Sequence, residues 1–158
     1  MALAFANIRI LGFDIGAARV GLARSTPLGT AEPLIVLQVK NRAWKKIAAE
    51  IRPLCARHAI NQFVVGLPRN MDGSLGPQAQ FAEQFATRLR RSFPEIPVFF
   101  EDERLTTEAA YERLAARGVL KKDKARETVD AVAAAIIVEA RLARLAKEMN
   151  ERAVQSEQ

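Results

Sequence analysis

The chain has 158 residues, 49% of them hydrophobic and 27% charged, enough for one globular domain with its own core. No apolar run is long enough to cross a bilayer. One cysteine, Cys55, and one histidine, His58, exclude an internal disulfide and a structural zinc site, while a net charge of +6 and a pI near 10.0 favour a polyanionic partner such as RNA or DNA.

The start, Met1-Ala2-Leu3-Ala4-Phe5-Ala6, has neither the charged region nor the long apolar stretch of a secretion signal. With the lone cysteine, this points to the cytoplasm. Ile8–Asp14 reads as a strand buried on both faces. Val20–Arg24 and Glu32–Val39 read as the next two, joined by short connections containing Gly16 and Gly29, so antiparallel pairing is expected. Trp44, Ile47, Ala48, Ile51, Leu54 and Cys55 recur at helical spacing, which predicts a helix over Ala43–Arg57 with His58 on the surface at its end. Phe63–Leu67 is a fourth strand, ended by Pro68. A helix follows over Pro77–Ser92, with Phe81, Phe85 and Leu89 expected on its core face. Pro97–Glu101 is the fifth strand. Thr106 or Thr107 can cap a further helix, with Glu108 in its first turn, and a last long helix runs from about Arg126 to Met149. These signals divide the chain into a loosely ordered leader (1–7), one domain (8–146) and a polar tail (147–158) expected to be disordered.

Three strands followed by alternating helices and strands imply a mixed α/β sheet of five strands with the first near its centre, the layout of a ribonuclease-H-like fold. In that layout the carboxyl ends of the first, fourth and fifth strands lie together, where ligands gather.

Several acids fall at that end. Asp14 closes the first strand in Gly12-Phe13-Asp14-Ile15-Gly16. Asp102-Glu103 follows the fifth. Asp130 lies in line with Ala133, Ala134 and Ile137 on the face of the last helix that should meet the sheet. Singly, each acid could cap a turn or pair with a neighbour, as Asp102 could with Arg104. Together they suit hard divalent cations, Mg²⁺ or Mn²⁺, which want oxygen ligands and can drive phosphodiester hydrolysis. Strand alternation groups Asp102 with Val98 and Phe100, and Glu103 with Phe99 and Glu101. It does not say which group faces Asp14.

In Arg69-Asn70-Met71-Asp72-Gly73-Ser74, Asp72 or Ser74 can cap the next helix, and Arg69 and Asn70 can reach a phosphate. Basic residues cluster again at Arg113, Arg117, Lys121, Lys122, Lys124 and Arg126, placed to steer a nucleic-acid backbone, whereas Arg88, Arg90 and Arg91 read as a solvated face. Arg104 can organise neighbouring carboxylates.

Four blocks carry a resemblance: Gly12-Phe13-Asp14-Ile15-Gly16 with Arg19-Val20-Gly21-Leu22-Ala23, Val65-Gly66-Leu67-Pro68-Arg69-Asn70-Met71-Asp72-Gly73-Ser74, Asp102-Glu103-Arg104-Leu105-Thr106-Thr107, and Val129-Asp130-Ala131-Val132-Ala133-Ala134. In this order and spacing, over about Ile8 to Leu142, the chain resembles the YqgF/RuvX family of pre-16S rRNA nucleases, the RuvC-like Holliday junction resolvase homologues. The resemblance implies a ribonuclease-H-like fold, metal-dependent nuclease activity in the cytoplasm, and maturation of the 5′ end of pre-16S rRNA on ribosomal precursor particles, or cleavage of branched DNA. It implies Asp14, Glu103 and Asp130 as the acidic, metal-holding triad, with Asp102 the alternative to Glu103. Arg19, Arg69, Asn70, Arg104, Lys121, Lys122, Lys124 and Arg126 are then the candidate nucleic-acid contacts. Two departures stand out. Junction resolvases carry an acid at the end of the fourth strand, where this chain has Gly66-Leu67-Pro68, and Ala17-Ala18 replaces the family's frequent hydroxyl and lysine. Two other functions fit parts of the pattern: a non-catalytic nucleic-acid-binding or ribosome-assembly factor, and a nucleotide-phosphate binder of the actin-like kind, which needs a second lobe that this length does not supply.

Overall fold

The computed structural model describes residues 5–102, 112, 116 and 127–157. Among them are five strands, β1 (Ile10–Ile15), β2 (Arg19–Ser25), β3 (Ala31–Gln38), β4 (Gln62–Leu67) and β5 (Val98–Asp102), and three helices, α1 (Trp44–Arg57), α2 (Pro77–Ser92) and α3 (Glu127–Ser156). The sheet order is β3-β2-β1-β4-β5. β1 pairs antiparallel with β2, and β2 with β3, whereas β1–β4 and β4–β5 are parallel. The first strand is therefore central, as the sequence implied, and the carboxyl ends of β1, β4 and β5 share one edge of the sheet.

Each face has its own core. Leu11, Phe13, Phe63 and Val65 point toward α1 and α2, where they meet Ile51, Phe85 and Leu89. Ile10 and Val64 point toward α3 and meet Ala134, Ile137 and Val138. Because β1 and β4 are buried on both sides, they read as unbroken apolar runs. β3 lies at the sheet edge, which tolerates Pro33, since an edge strand can spare a backbone donor; the β2–β3 register shifts beside it, between Leu22 and Ala23. Pro53 sits inside α1 without ending it, because Ile47, Ala48 and Ile51 hold that helix on the sheet. α2 starts with Pro77 at its first position, where a missing N–H costs nothing.

α3 crosses the sheet at close range, and glycines permit it. A Cβ at Gly21 would collide with the backbone carbonyl of Asp130, and one at Gly12 with the Val138 side chain. The helix begins over β2, passes over β1 and reaches β5.

Several expectations change. α3 does not stop at about Met149 but continues through Ser156, so the expected disordered tail is helical; its sequence lacks any Gly or Pro to end it and is rich in good helix formers. Phe5 packs against the α3-side core, and Asn7 accepts a hydrogen bond from Asn61 Nδ2 at 2.7 Å, so these leader residues are held in place. Phe85 and Leu89 are buried as expected, but Phe81, one turn nearer the start of α2, is 47% exposed. The helix expected after Thr106 or Thr107 lies outside the described residues. Among the described residues no helix is long and apolar enough to cross a membrane.

Candidate active site

Strand register assigns each acid to a face. Asp14 pairs directly with Gly21 across β1–β2, and opposite residues share a face. Gly21 lies against α3, so Asp14 is on the α3 side of the sheet, at its carboxyl edge, half-buried. Asp130, in the first turns of α3, packs with its backbone on Gly21 and is also half-buried. β1 thus brings Asp14, and α3 brings Asp130, to one corner of one face.

Arg19 opens β2 two residues before Gly21, so it rises on the same face and pairs with Asp130, Nε to Oδ2, at 3.2 Å. The approach is electrostatic and poorly aligned: Oδ2 is buried and accepts no hydrogen bond, although the two side chains are 37% and 27% exposed. A buried carboxylate oxygen without a donor is costly unless a cation uses it.

β5 settles the parity that the sequence left open. Arg90 of α2 donates to the Val98 carbonyl and lies over the Phe100 ring, so Val98 and Phe100 face α1 and α2. Phe99 and Glu101 face α3. The Arg141 guanidinium stacks 3.9 Å from the Phe99 ring centroid, and Glu101 accepts two hydrogen bonds from Arg144, at 2.8 and 3.0 Å. Asp102 therefore falls on the face away from Asp14 and Asp130, where it pairs with Arg69 at 3.6 Å. Asp102 is thus placed beside Arg69 and not beside Asp14. Glu103, Arg104, Lys121, Lys122, Lys124 and Arg126 lie outside the described residues. Among the described residues, no three Asp, Glu, His or Cys side chains gather closely enough to hold a metal.

The Glu101–Arg144 clamp was not foreseen. The sequence signal was present: an acid inside an apolar strand, and two arginines three apart on the helix expected to cover it. Glu101 is 2% exposed, and its carboxylate raises the pKa of Arg144. Burial lowers that of Arg141, a shift that Glu101 partly offsets.

The loop after β4 is self-contained. Asp72 Oδ1 accepts from the Ser74 N–H at 2.9 Å and from its hydroxyl at 2.6 Å, and Asn70 Nδ2 donates to Ser74 Oγ at 3.0 Å. Gly73 takes a positive φ of 88° to close the turn. Asp72 and Ser74 thus brace the loop and do not cap α2, whose N-cap is Gly76 without a side-chain bond. Arg69 also donates to the Gly73 carbonyl at 3.3 Å and, like Asn70, is exposed at the sheet's carboxyl edge.

Among the described residues, two of the cavities flank the sheet. The larger, about 480 Å³, lies between α3 and Gly29, at the opposite end of the sheet from Asp14 and among largely apolar side chains. The smaller, about 200 Å³, borders the Gly16–Ala17 turn that directly follows the Asp14 strand. The larger is thus remote from the acids and the smaller is beside them.

The solved structure "T. thermophilus RuvC in complex with Holliday junction substrate" superposes with a TM-score of 0.56 over 87% of this chain and 97% of that one, at 17% identity. A second, "Thermus thermophilus RuvC structure", gives a TM-score of 0.54 over 86% of this chain and 97% of that one, at 18% identity. That likeness bears on the fold, which is ribonuclease-H-like. In sequence, a Moorella thermoacetica protein named "Putative pre-16S rRNA nuclease" is 42% identical over 139 residues, 87% of this chain and 96% of its own length. A Latilactobacillus sakei subsp. sakei protein of the same name is 35% identical over 133 residues, 84% and 90% respectively. The family model "RuvX: Holliday junction resolvase" matches residues 8–144, from just before β1 to deep within α3, and this chain belongs to that family.

Proposed function

We propose that this protein is a divalent-metal-dependent nuclease that matures the 5′ end of pre-16S rRNA in the cytoplasm, working on ribosomal precursor particles. The observation that carries the reading is the Asp14–Asp130 corner: two acids from different elements on one face, with a buried Asp130 oxygen that no donor uses. The names of the sequence relatives supply the substrate.

The donor set fits Mg²⁺ or Mn²⁺, since carboxylate oxygens are what hard cations take. Asp14 and Asp130 would hold the metal, with Glu103, the position that the family resemblance implies, as the third ligand. Bound there, the metal would activate a water and stabilise the leaving oxygen of a phosphodiester. The protein's own groups do the rest. Arg19 holds the Asp130 carboxylate in place and offsets the like charges of the corner. Arg69 and Asn70, on the braced loop, and Arg104, Lys121, Lys122, Lys124 and Arg126 take the phosphate backbone. The family description and the RuvC complex favour branched DNA as a second substrate to be tried.

The test is cleavage of a pre-16S leader RNA, and of a four-way DNA junction, with and without Mg²⁺ or Mn²⁺. Asp14→Asn should lower cleavage by more than about a hundredfold, since even partners outside the ligand shell cost 10- to 100-fold, while circular dichroism stays unchanged. Activity that persists in Asp14→Asn, Glu103→Gln and Asp130→Asn alike sinks the reading. Salt-sensitive RNA binding indifferent to all three, with no cleavage, would mark a non-catalytic assembly factor instead.

A further inference from the structure

We propose that the cavity of about 200 Å³ between Trp44 and Phe81 receives one unpaired nucleobase of the nucleic-acid substrate, an inference that rests on the nuclease function above. Its position is the first argument. Trp44 opens α1, Phe81 lies in the first turns of α2, and the Ile15-Gly16-Ala17 turn forms the rim, so all three sit at the carboxyl edge of the sheet. Asp14, Arg19 and Asp130 lie just across that turn, on the α3 face. A strand whose backbone passes the acids has the cavity within reach of a neighbouring nucleotide.

Chemistry is the second argument. Phe81 leaves 47% of its surface exposed, while Phe85 and Leu89 on the same stripe are buried. The Trp44 ring is fixed: its Nε1 donates to Ser92 Oγ at 2.7 Å, and its plane meets Phe85 edge-on at 5.1 Å. Arg88, taken from the sequence as part of a solvated face, lies 5.9 Å from the Trp44 ring centroid, and the Gln84 amide borders the same space. Two aromatic rings, a guanidinium and an amide are what an unstacked base needs: faces to stack on, a cation, and a donor and acceptor for its edge. Neither α1 nor α2 carries an acid in its first turn, and α1 has Lys45 and Lys46 there, so the two helix starts favour the flanking phosphates.

Trp44 is the chain's only tryptophan, so its fluorescence reports this cavity alone. The probe is a single-stranded RNA of about eight nucleotides, within the span such sites cover, titrated in EDTA so that no cleavage occurs. The RNA should quench Trp44, and an abasic oligomer of the same length and charge should not. Phe81→Ala, a change at an exposed position, should weaken the quenching affinity about tenfold, as loss of one stacking ring does, and Phe81→Tyr should restore it. Equal quenching by the abasic oligomer, or unchanged affinity in Phe81→Ala, overturns the proposal. The two readings fail differently. RNA quenching that persists in a protein without metal-dependent cleavage defeats only the nuclease reading, whereas cleavage without base-dependent quenching defeats only this one.

Discussion

Among the described residues, two arginine–carboxylate pairs tie α3 to the sheet, and they differ in how much of each acid they use. At β5, Arg144 grips Glu101 with two hydrogen bonds, and the acid is 2% exposed. At β2, Arg19 approaches Asp130 at 3.2 Å without alignment, and a buried oxygen of Asp130 is left without a donor. Both oxygens of Glu101 are engaged in holding the fold. Asp130 has kept acceptor capacity in reserve, which is what a ligand for a cation requires. Burial alone therefore does not identify a functional acid; the accounting of its lone pairs does.

The comparison can be broken most sharply at Arg144. Arg144→Ala removes the two-point partner of the buried Glu101 carboxylate. It should cost about 2 to 3 kcal/mol, the range of charged hydrogen bonds, because Arg144 itself is 48% exposed and screened. Urea denaturation reads it, and a loss under about 1 kcal/mol would place the clamp among ordinary surface pairs. Gly21→Ala comes next. The new methyl meets the Asp130 carbonyl, so the start of α3 must shift. A stability loss of about 2 kcal/mol is expected, with cleavage falling further than the unfolded fraction explains. Arg19→Ala should cost less than about 1 kcal/mol, because its pair is partly exposed. Under the proposed function it should also let Mn²⁺ bind at lower concentration, measurable by electron paramagnetic resonance, since a competing cation is gone. The smallest effect belongs to a third pair. Arg42 grips Glu50 with two hydrogen bonds, at 2.9 and 3.0 Å, but in solvent. The Arg42 hydrogen bond holds the Glu50 carboxyl below its ordinary pKa. Its stabilisation is therefore complete above the unfolded value near 4.5 and fades as pH falls through the lower folded value. Glu50→Gln should remove that pH dependence with barely any change at neutral pH. Two-point geometry without burial contributes little.

Much of the architecture was legible because burial on both faces writes itself as unbroken apolar runs in β1 and β4, and because Pro77 marks the start of α2. The layer assignment of Asp102 was not legible. In a strand covered on both sides, alternation yields two equivalent sets, and the arginines of α2 and α3 distinguish them. The end of α3 was missed for a different reason: after Met149 the apolar stripe lapses, yet helix propensity does not. Phe81 was misread because period alone cannot tell where a helix outruns the sheet beneath it. For the candidate site, Asp14 and Asp130 could be named from their neighbours in sequence, while the role of Glu101 needed the helix to be laid across its strand.

Gly12 and Gly21 have a mechanical consequence. They touch α3 at Val138 and Asp130, eight positions apart along the helix and on different strands. One contact would act as a pivot. Two act as rails, which remove the freedom of the helix to roll about its axis or slide along it. At Gly21 the alignment of Asp130 with Asp14 is then set by main chain resting on main chain, with the Val138 side chain against Gly12 as the second stop.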